Sequence, residues 1–264
     1  MKNSPPTSDA EAAARAEADA RYCADAVRAQ DGDRYLIALF QPPRLRAAAV
    51  ALAAWNLELA NAAPRSSETT IGMIRLQWHR DALEEIAAGR PRRHPVVGAL
   101  AAAHAAGHVD LDDLSAIVDA RERDLDPAPP ESLAELEAYA RAAAGALHRT
   151  LWRDTPAAAA AEDGATAFAL IGLARAEPIN QARGRPWAPK ALKGDLAALI
   201  DRAATLAAVR PPRGHRGAAA PAALAAAYVK RARRAGGDPT DPRMSGPDPW
   251  RLWRLGAARL AGRV

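Results

Sequence analysis

GATAFALIGLARAEPINQARGRPWAP, residues 164–189, is the stretch on which the reading of this chain turns. Phe168, Ile171, Leu173 and Ala174 recur close to helical spacing, which predicts a helix with an apolar face. Gly164 and Gly172 have no side chain to hold a neighbour off, so a second helix can approach closely there. Pro178 lacks a backbone donor and crowds the preceding turn, which predicts a kink or a stop. A basic loop follows, Arg183-Gly184-Arg185, closed by Pro186-Trp187-Ala188-Pro189. Arg175, Arg183 and Arg185, delivered to a proline-bounded loop, can form one side of an anion pocket. Charge favoured at a helix end by the macrodipole is the competing reading. Acid is scarce here: between Asp163 and Asp195 the one carboxylate is Glu177.

Outside this stretch the composition also says helix. Alanine dominates, and it gives up no side-chain entropy in a helix. Alternating runs of β-branched and aromatic residues are nearly absent, so the expected class is all-α. A chain of 264 residues is long enough to bury a proper core. Short Pro/Gly connections fit antiparallel neighbours in a single helical bundle. The expected divisions are a disordered tail over 1–17, a helical domain over 18–235, and a polar linker with a basic amphipathic helix over 236–264.

The formal charge of +5 is unevenly spread: from Arg183 onward 17 Lys and Arg face 5 Asp, and the remainder is net acidic. Such an end can meet anionic lipid or an acidic protein, although a solvated basic surface is the more ordinary reading. Aromatic and basic residues interleave only at Trp250–Arg254, so nucleic acid is not an expected partner. Cys23 is the only cysteine, which excludes a disulfide framework and a cysteine-based zinc site. The first twenty residues lack the apolar segment of a secretory signal, and no apolar run reaches the ~20 residues a spanning helix needs. The expected location is cytoplasmic, at most peripheral at the inner membrane.

Along the chain, Asp31-Gly32 breaks the first helix and Asp33 is placed to cap the next, which ends before Gln41-Pro42-Pro43. Pro43 suits the first turn of a helix running to about Ala62. Val50, Leu52, Trp55, Leu57 and Leu59 make that helix apolar on most of its surface, as befits the middle of a bundle. Asn56 and Glu58 within it are costly to bury unpaired. They are expected to bond Arg75 or Arg80 in a pocket, where these two join Arg175, Arg183 and Arg185 as possible anion-binding residues, or to hold helices in register. Further helices are expected over 71–88, from Pro95 through His104, from Asp110 or Asp112, and in one long run from Glu131 to about Trp152. Asp119, Glu122 and Asp124 are acidic enough for a metal cluster, but at a helix end they are expected to pair with Arg121 and Arg123. His94, His148 and His215 are expected at the surface. Asp248 caps a last helix on which Trp250, Trp253, Ala257 and Leu260 share a stripe, with Arg251, Arg254 and Arg259 off it. That stripe either docks on the bundle or lies in a membrane interface.

The order of these pieces resembles the squalene/phytoene synthase family. The matching segments are YLIALF from Tyr35, then Pro43 and Arg46 leading into AAVALAAWNLELA. RLQWHRDALEEI from Arg75, GRPRRHPVV after it, YARAAAGAL from Tyr139 and the segment from Ile171 to Pro189 complete the set. The likeness runs from about Tyr22 to Tyr228 and implies the all-α trans-isoprenoid synthase fold. In that family two D-x-x-x-D motifs on facing helices bind Mg²⁺ against the diphosphates of two prenyl substrates. The i, i+4 spacing sets both carboxylates on one face as hard oxygen ligands, and the metal neutralises the leaving group.

Aligned in this way, the first motif falls on Asn56 and Ala60, with Glu58 between them on another face, and the second on Ala176 and Asn180. Four carboxylates would thus have become two amides and two methyls. An amide offers a metal a carbonyl but not the charge. AWNLELA and RLQWHRDAL resemble a non-catalytic branch of the family tied to assembly of respiratory complex I, although His79 stands where that branch usually has Trp. The resemblance implies a binding or assembly role without a cofactor. Its partners would be a prenyl or lipid ligand, respiratory complex subunits, or an anionic membrane. It leaves open an active Mg-dependent prenyltransferase that condenses two prenyl diphosphates through displaced carboxylates such as Glu58 and Asp124.

Overall fold

Alanine-rich sequence becomes helix throughout: the structure, a computed structural model, describes residues 8–62 and 69–261, and among them there is no strand. Helix α1 spans Ser8–Gln30, so residues 8–17 are helical and not the disordered tail expected of them. The reason is local, since EAAARAEADAR is a strong helix former and Glu17 pairs with Arg21 one turn on at 3.1 Å. Residues 1–7 of that expected tail lie outside the described residues.

Helix α2 covers Gly32–Leu39 and is capped by Asp31, whose carboxylate accepts the Arg34 N–H at 2.9 Å. Asp33 was the expected cap; it instead accepts the Tyr228 hydroxyl proton from across the bundle. Helix α3 (Pro43–Ala62) starts on its proline and is buried along most of its length. Helices α4 (Thr69–Ala87), α5 (Pro95–Ala105) and α6 (Leu111–Ala120) follow, the last capped by Asp110. A short 3₁₀ turn, Arg121–Leu125, leads to α7 (Leu133–Ala140), which Ser132 caps. The single long helix expected from Glu131 to Trp152 is divided by a π turn at Arg141–Gly145, after which α8 covers Ala146–Trp152. Gly145 lies so close to the next helix that a Cβ there would meet the Thr166 hydroxyl at 2.6 Å.

Helix α9 (Ala158–Ala182) does not stop at Pro178. Its last turn survives because Arg183 N–H reaches the Ile179 and Asn180 carbonyls at 3.2 and 3.1 Å, and Arg185 N–H reaches Asn180 at 2.9 Å. Helices α10 (Ala197–Ala207), α11 (Ala220–Arg234) and α12 (Arg251–Ala261) complete the chain. Gly164 allows the contact expected of it: a Cβ there would stand 3.0 Å from that of Ala222 on α11. Gly172 meets no neighbour and faces a cavity instead.

The buried apolar residues form two clusters. One surrounds α3 and draws on α1, α4, α5, α6 and α8; the other surrounds α9 and draws on α10 and α11. Between them Gln41, fully buried, bridges three elements. Its amide donates to the Ile37 and Gly217 carbonyls at 3.0 Å each and accepts the Trp152 indole N–H at 3.1 Å. The segment before α12 is not the free linker expected. Arg231 donates to the carbonyls of Arg243, Ser245 and Gly246, and Arg175 donates to those of Met244 and Gly246. A polar loop leaves carbonyls unpaired, and two guanidinium forks collect them.

A cavity between the two clusters

Where the α3 and α9 clusters meet, the chain leaves a chamber of about 320 Å³, walled by Asp33, Arg34, Arg121, Tyr139, Phe168 and Arg175 among others. A smaller pocket of about 30 Å³ shares the walls Arg34, Ala144 and Phe168 and reaches Asn56 and His148. That volume has room for about one water. His148 was expected at the surface. Its Nδ1 is instead sealed from water without a protein partner, and burial pushes the imidazole down to about 4. At neutral pH it is therefore an uncharged ring.

Asn56 is 2 % exposed, and its carbonyl oxygen accepts from Arg121 Nη2 at 2.5 Å. The expected partners, Arg75 and Arg80, lie elsewhere: Arg75 donates to the Asn61 carbonyl, and Arg80 binds Asp119 and Glu122 at 2.7 and 2.5 Å. Arg121 also donates to Asp124 at 3.1 Å and to the Tyr139 hydroxyl at 3.0 Å, while Tyr139 donates to Asp124. Burial pushes the Tyr139 phenol above its ordinary range, so it remains a neutral donor. Its ring stacks on Trp187 at 4.4 Å, and Arg185 donates to the Asp124 carbonyl at 2.6 Å. The loop after α9 is thereby fastened to the 3₁₀ turn that carries Arg121. Nothing in the spacing of RERDL distinguishes Arg121 from Arg123; only the approach of α3 and α7 makes it the centre of this network.

Glu177, the lone acid of that region, is 2 % exposed and turned away from the chamber into the loop. It accepts the N–H groups of Trp187 and Ala188 at 2.9 and 3.0 Å and the Gln181 amide at 3.1 Å. Arg185 is spent on backbone, Arg183 is exposed, and Arg75 and Arg80 are bound elsewhere, so of the five arginines expected to face an anion only Arg175 lines the chamber. Ala60 is exposed near the end of α3, and Ala176 and Asn180 are half-buried in the last turns of α9. Asp119, Glu122 and Asp124 are each paired with an arginine, Arg80 taking the first two. Among the described residues no three His, Cys, Asp or Glu side chains form a metal-holding group.

Glu58 points away from Asn56, toward His94, whose Nε2 is 3.6 Å from its carboxyl. Burial pushes Glu58 up to about 7 and holds His94 below its ordinary value, so near neutrality the contact joins an acid and a neutral ring. His79, 5 % exposed, is pushed down to about 4 by the same cause. The signs are opposite in pH. A carboxyl raised in the folded state stabilises below about 4.5, and that contribution is lost as pH rises to about 7. A lowered imidazole contributes above about 6.5 and is lost as pH falls toward 4. Glu58→Gln is therefore expected to raise stability at pH 8 by up to about 3 kcal/mol and to change it little at pH 4.5. Thermal melts at the two pH values check this; an equal change at both contradicts it.

A sequence model of the squalene/phytoene synthase family matches residues 27–193. The bovine NADH dehydrogenase (ubiquinone) complex I assembly factor 6 is 33% identical over 174 residues, covering 64% of this chain and 52% of that protein. The human protein of the same name is 32% identical over 173 residues, with the same coverage. The chain thus spans about half the length of the curated relatives it matches. Among solved structures, a dehydrosqualene synthase in complex with ligand superposes with a TM-score of 0.76 at 15% identity, over 95% of this chain and 98% of that one. The squalene synthase HpnC from Alicyclobacillus acidocaldarius gives 0.67 at 20% identity, over 84% and 96%. These likenesses show the fold, and the matched family segment contains α3, the Arg121 turn and α9 through the loop at Trp187. Because the family model matches more than half of its length, the chain belongs to the squalene/phytoene synthase family.

Proposed function

We propose that this chain is a non-catalytic member of its family, a binding or complex I assembly-type factor that keeps the central chamber without a metal–diphosphate centre. The observation that carries the reading is the bond between Asn56 and Arg121. At a position aligned with a metal-binding aspartate, a neutral amide faces a guanidinium supplied by the chain itself. The residues present do not fit Mg²⁺: the Asn56 oxygen is engaged, Ala60 and Ala176 have no donor atom, and Asn180 is a lone amide. Likeness to relatives named as complex I assembly factors supports the same reading.

On this reading the chamber takes a prenyl or other lipid ligand, and an anionic head meets, without a metal between, the N–H groups that Arg34 and Arg175 have left after binding Asp31 and the Met244 and Gly246 carbonyls. Calorimetry with a prenyl diphosphate is expected to show binding that persists in EDTA and weakens as ionic strength rises. Binding that requires Mg²⁺ contradicts it. Incubation with farnesyl or geranylgeranyl diphosphate and Mg²⁺ is expected to yield no condensation product. Squalene-like or phytoene-like product above a metal-free control establishes the second reading, an active prenyltransferase using displaced carboxylates. The likeness to a dehydrosqualene synthase favours that second reading. The engagement of Asp124 with Arg121 and Tyr139 weighs against it.

A further inference from the structure

Helix α12 is fastened to the bundle by its arginines. Arg251 faces Asp33 at 3.5 Å, Arg254 pairs with Asp248 at 2.9 Å, and Leu255 is buried beside them. Trp250, Leu252 and Trp253 are left 65%, 59% and 71% exposed. The stripe of tryptophans therefore does not dock on the bundle; Arg259 and Leu260, also part of the expected pattern, have side chains outside the described residues. The inversion has a cause in the surface beneath, where Asp33 and the nearly buried Asp248 draw the guanidinium groups inward. Two indoles and a leucine side by side in water form an apolar patch that calls for a cover. The same segment sits against the chamber, because Asp33 and Arg175 both line it and hold Arg251 and the Met244 and Gly246 carbonyls.

We infer that Trp250, Leu252 and Trp253 form an insertion face that seats the protein on an anionic lipid bilayer. Indole rings suit the headgroup level, where the ring meets the acyl boundary and the N–H stays hydrated. Charge selects lipid as the cover: the chain from Arg183 onward carries 17 Lys and Arg against 5 Asp. Lys230 and Arg234 lie exposed on α11, the helix against which α12 packs. An anionic leaflet attracts such a surface within a Debye length. The inference stands whether or not the chamber holds a ligand, since it rests on the outer face of α12 and the basic surface around it.

The test uses the full chain at low salt, with vesicles of phosphatidylcholine alone or with added phosphatidylglycerol. The protein is expected to co-sediment with the anionic vesicles, to show a blue shift of tryptophan emission on binding, and to be released by salt. Trp250→Ser with Trp253→Ser is expected to weaken this partition by about tenfold or more. Ile74→Ser, which removes an exposed apolar residue from α4, is expected to leave it unchanged. Circular dichroism and the thermal midpoint show that each variant is folded. Co-sedimentation that is absent, equal on both vesicles, or unaffected in a folded double variant overturns the inference. So does light scattering that shows a wild-type dimer and a monomeric double variant, which would make the face an interface between copies.

Discussion

Arg121→Ala is expected to cost about 3–5 kcal/mol, the range for breaking a buried charge pair by removing one partner. Arg121 is 8% exposed, and its fork holds Asn56, Asp124 and Tyr139 together. Without it the Asp124 carboxylate, whose side chain is 10% exposed, remains beside an unpaired amide and a phenol. In a chain of this length the loss corresponds to a fall of roughly 10 °C in the thermal midpoint. A companion experiment separates charge from packing. Arg121→Met with Asp124→Asn removes both charges and is expected to recover much of the loss, because no buried ion is left uncompensated. A single variant that melts within a degree or two of the parent would show that Asn56 and Asp124 find other partners, and the central network would lose its assigned role.

Glu177→Ala is expected to cost about 3 kcal/mol and to free the loop over residues 183–189. Each hydrogen bond to a buried charged acceptor contributes about 1.5–3 kcal/mol, and leaving its donor unsatisfied carries the full penalty. Trp187 and Ala188 would both lose their acceptor, and with it the stack of Trp187 on Tyr139. Amide exchange at these two residues should accelerate far more than exchange in α10 or α11. Glu177→Gln keeps one carbonyl oxygen and should fall between. Uniform acceleration across the chain would mean that Glu177 supports α9 as a whole and not the loop. Because the loop also reaches Asp124 through Arg185, the Glu177 and Arg121 variants share partners, so their combined cost should fall short of the sum.

Much of the architecture was legible in the order of residues. Alanine content, the punctuation by Pro43 and Pro95, and the capping aspartates Asp110 and Asp248 mark helices wherever their cause is local. The departures also have physical causes. Residues 8–17 are helical because propensity and an i, i+4 ion pair outweigh polarity. The stop at Pro178 fails because N–H groups of the following loop donate to the Ile179 and Asn180 carbonyls and to the Glu177 carboxylate. Asp33 gives up its capping role because Tyr228, 195 residues away, offers a hydroxyl.

By itself, then, the sequence determined the helical class, the bundle and the family likeness. Those properties follow from short-range propensity, periodicity and residue identity. Only the tertiary structure decided which of two neighbouring arginines meets Asn56, that Glu58 and Glu177 turn away from the chamber, that the His148 Nδ1 is shut off from water beside the smaller pocket, and that α12 turns Arg251 and Arg254 toward Asp33 and Asp248 and shows its tryptophans. Each is a choice among partners distant in the chain. Hydrogen bonds and ion pairs gain their value from burial, and burial exists only once the helices have packed.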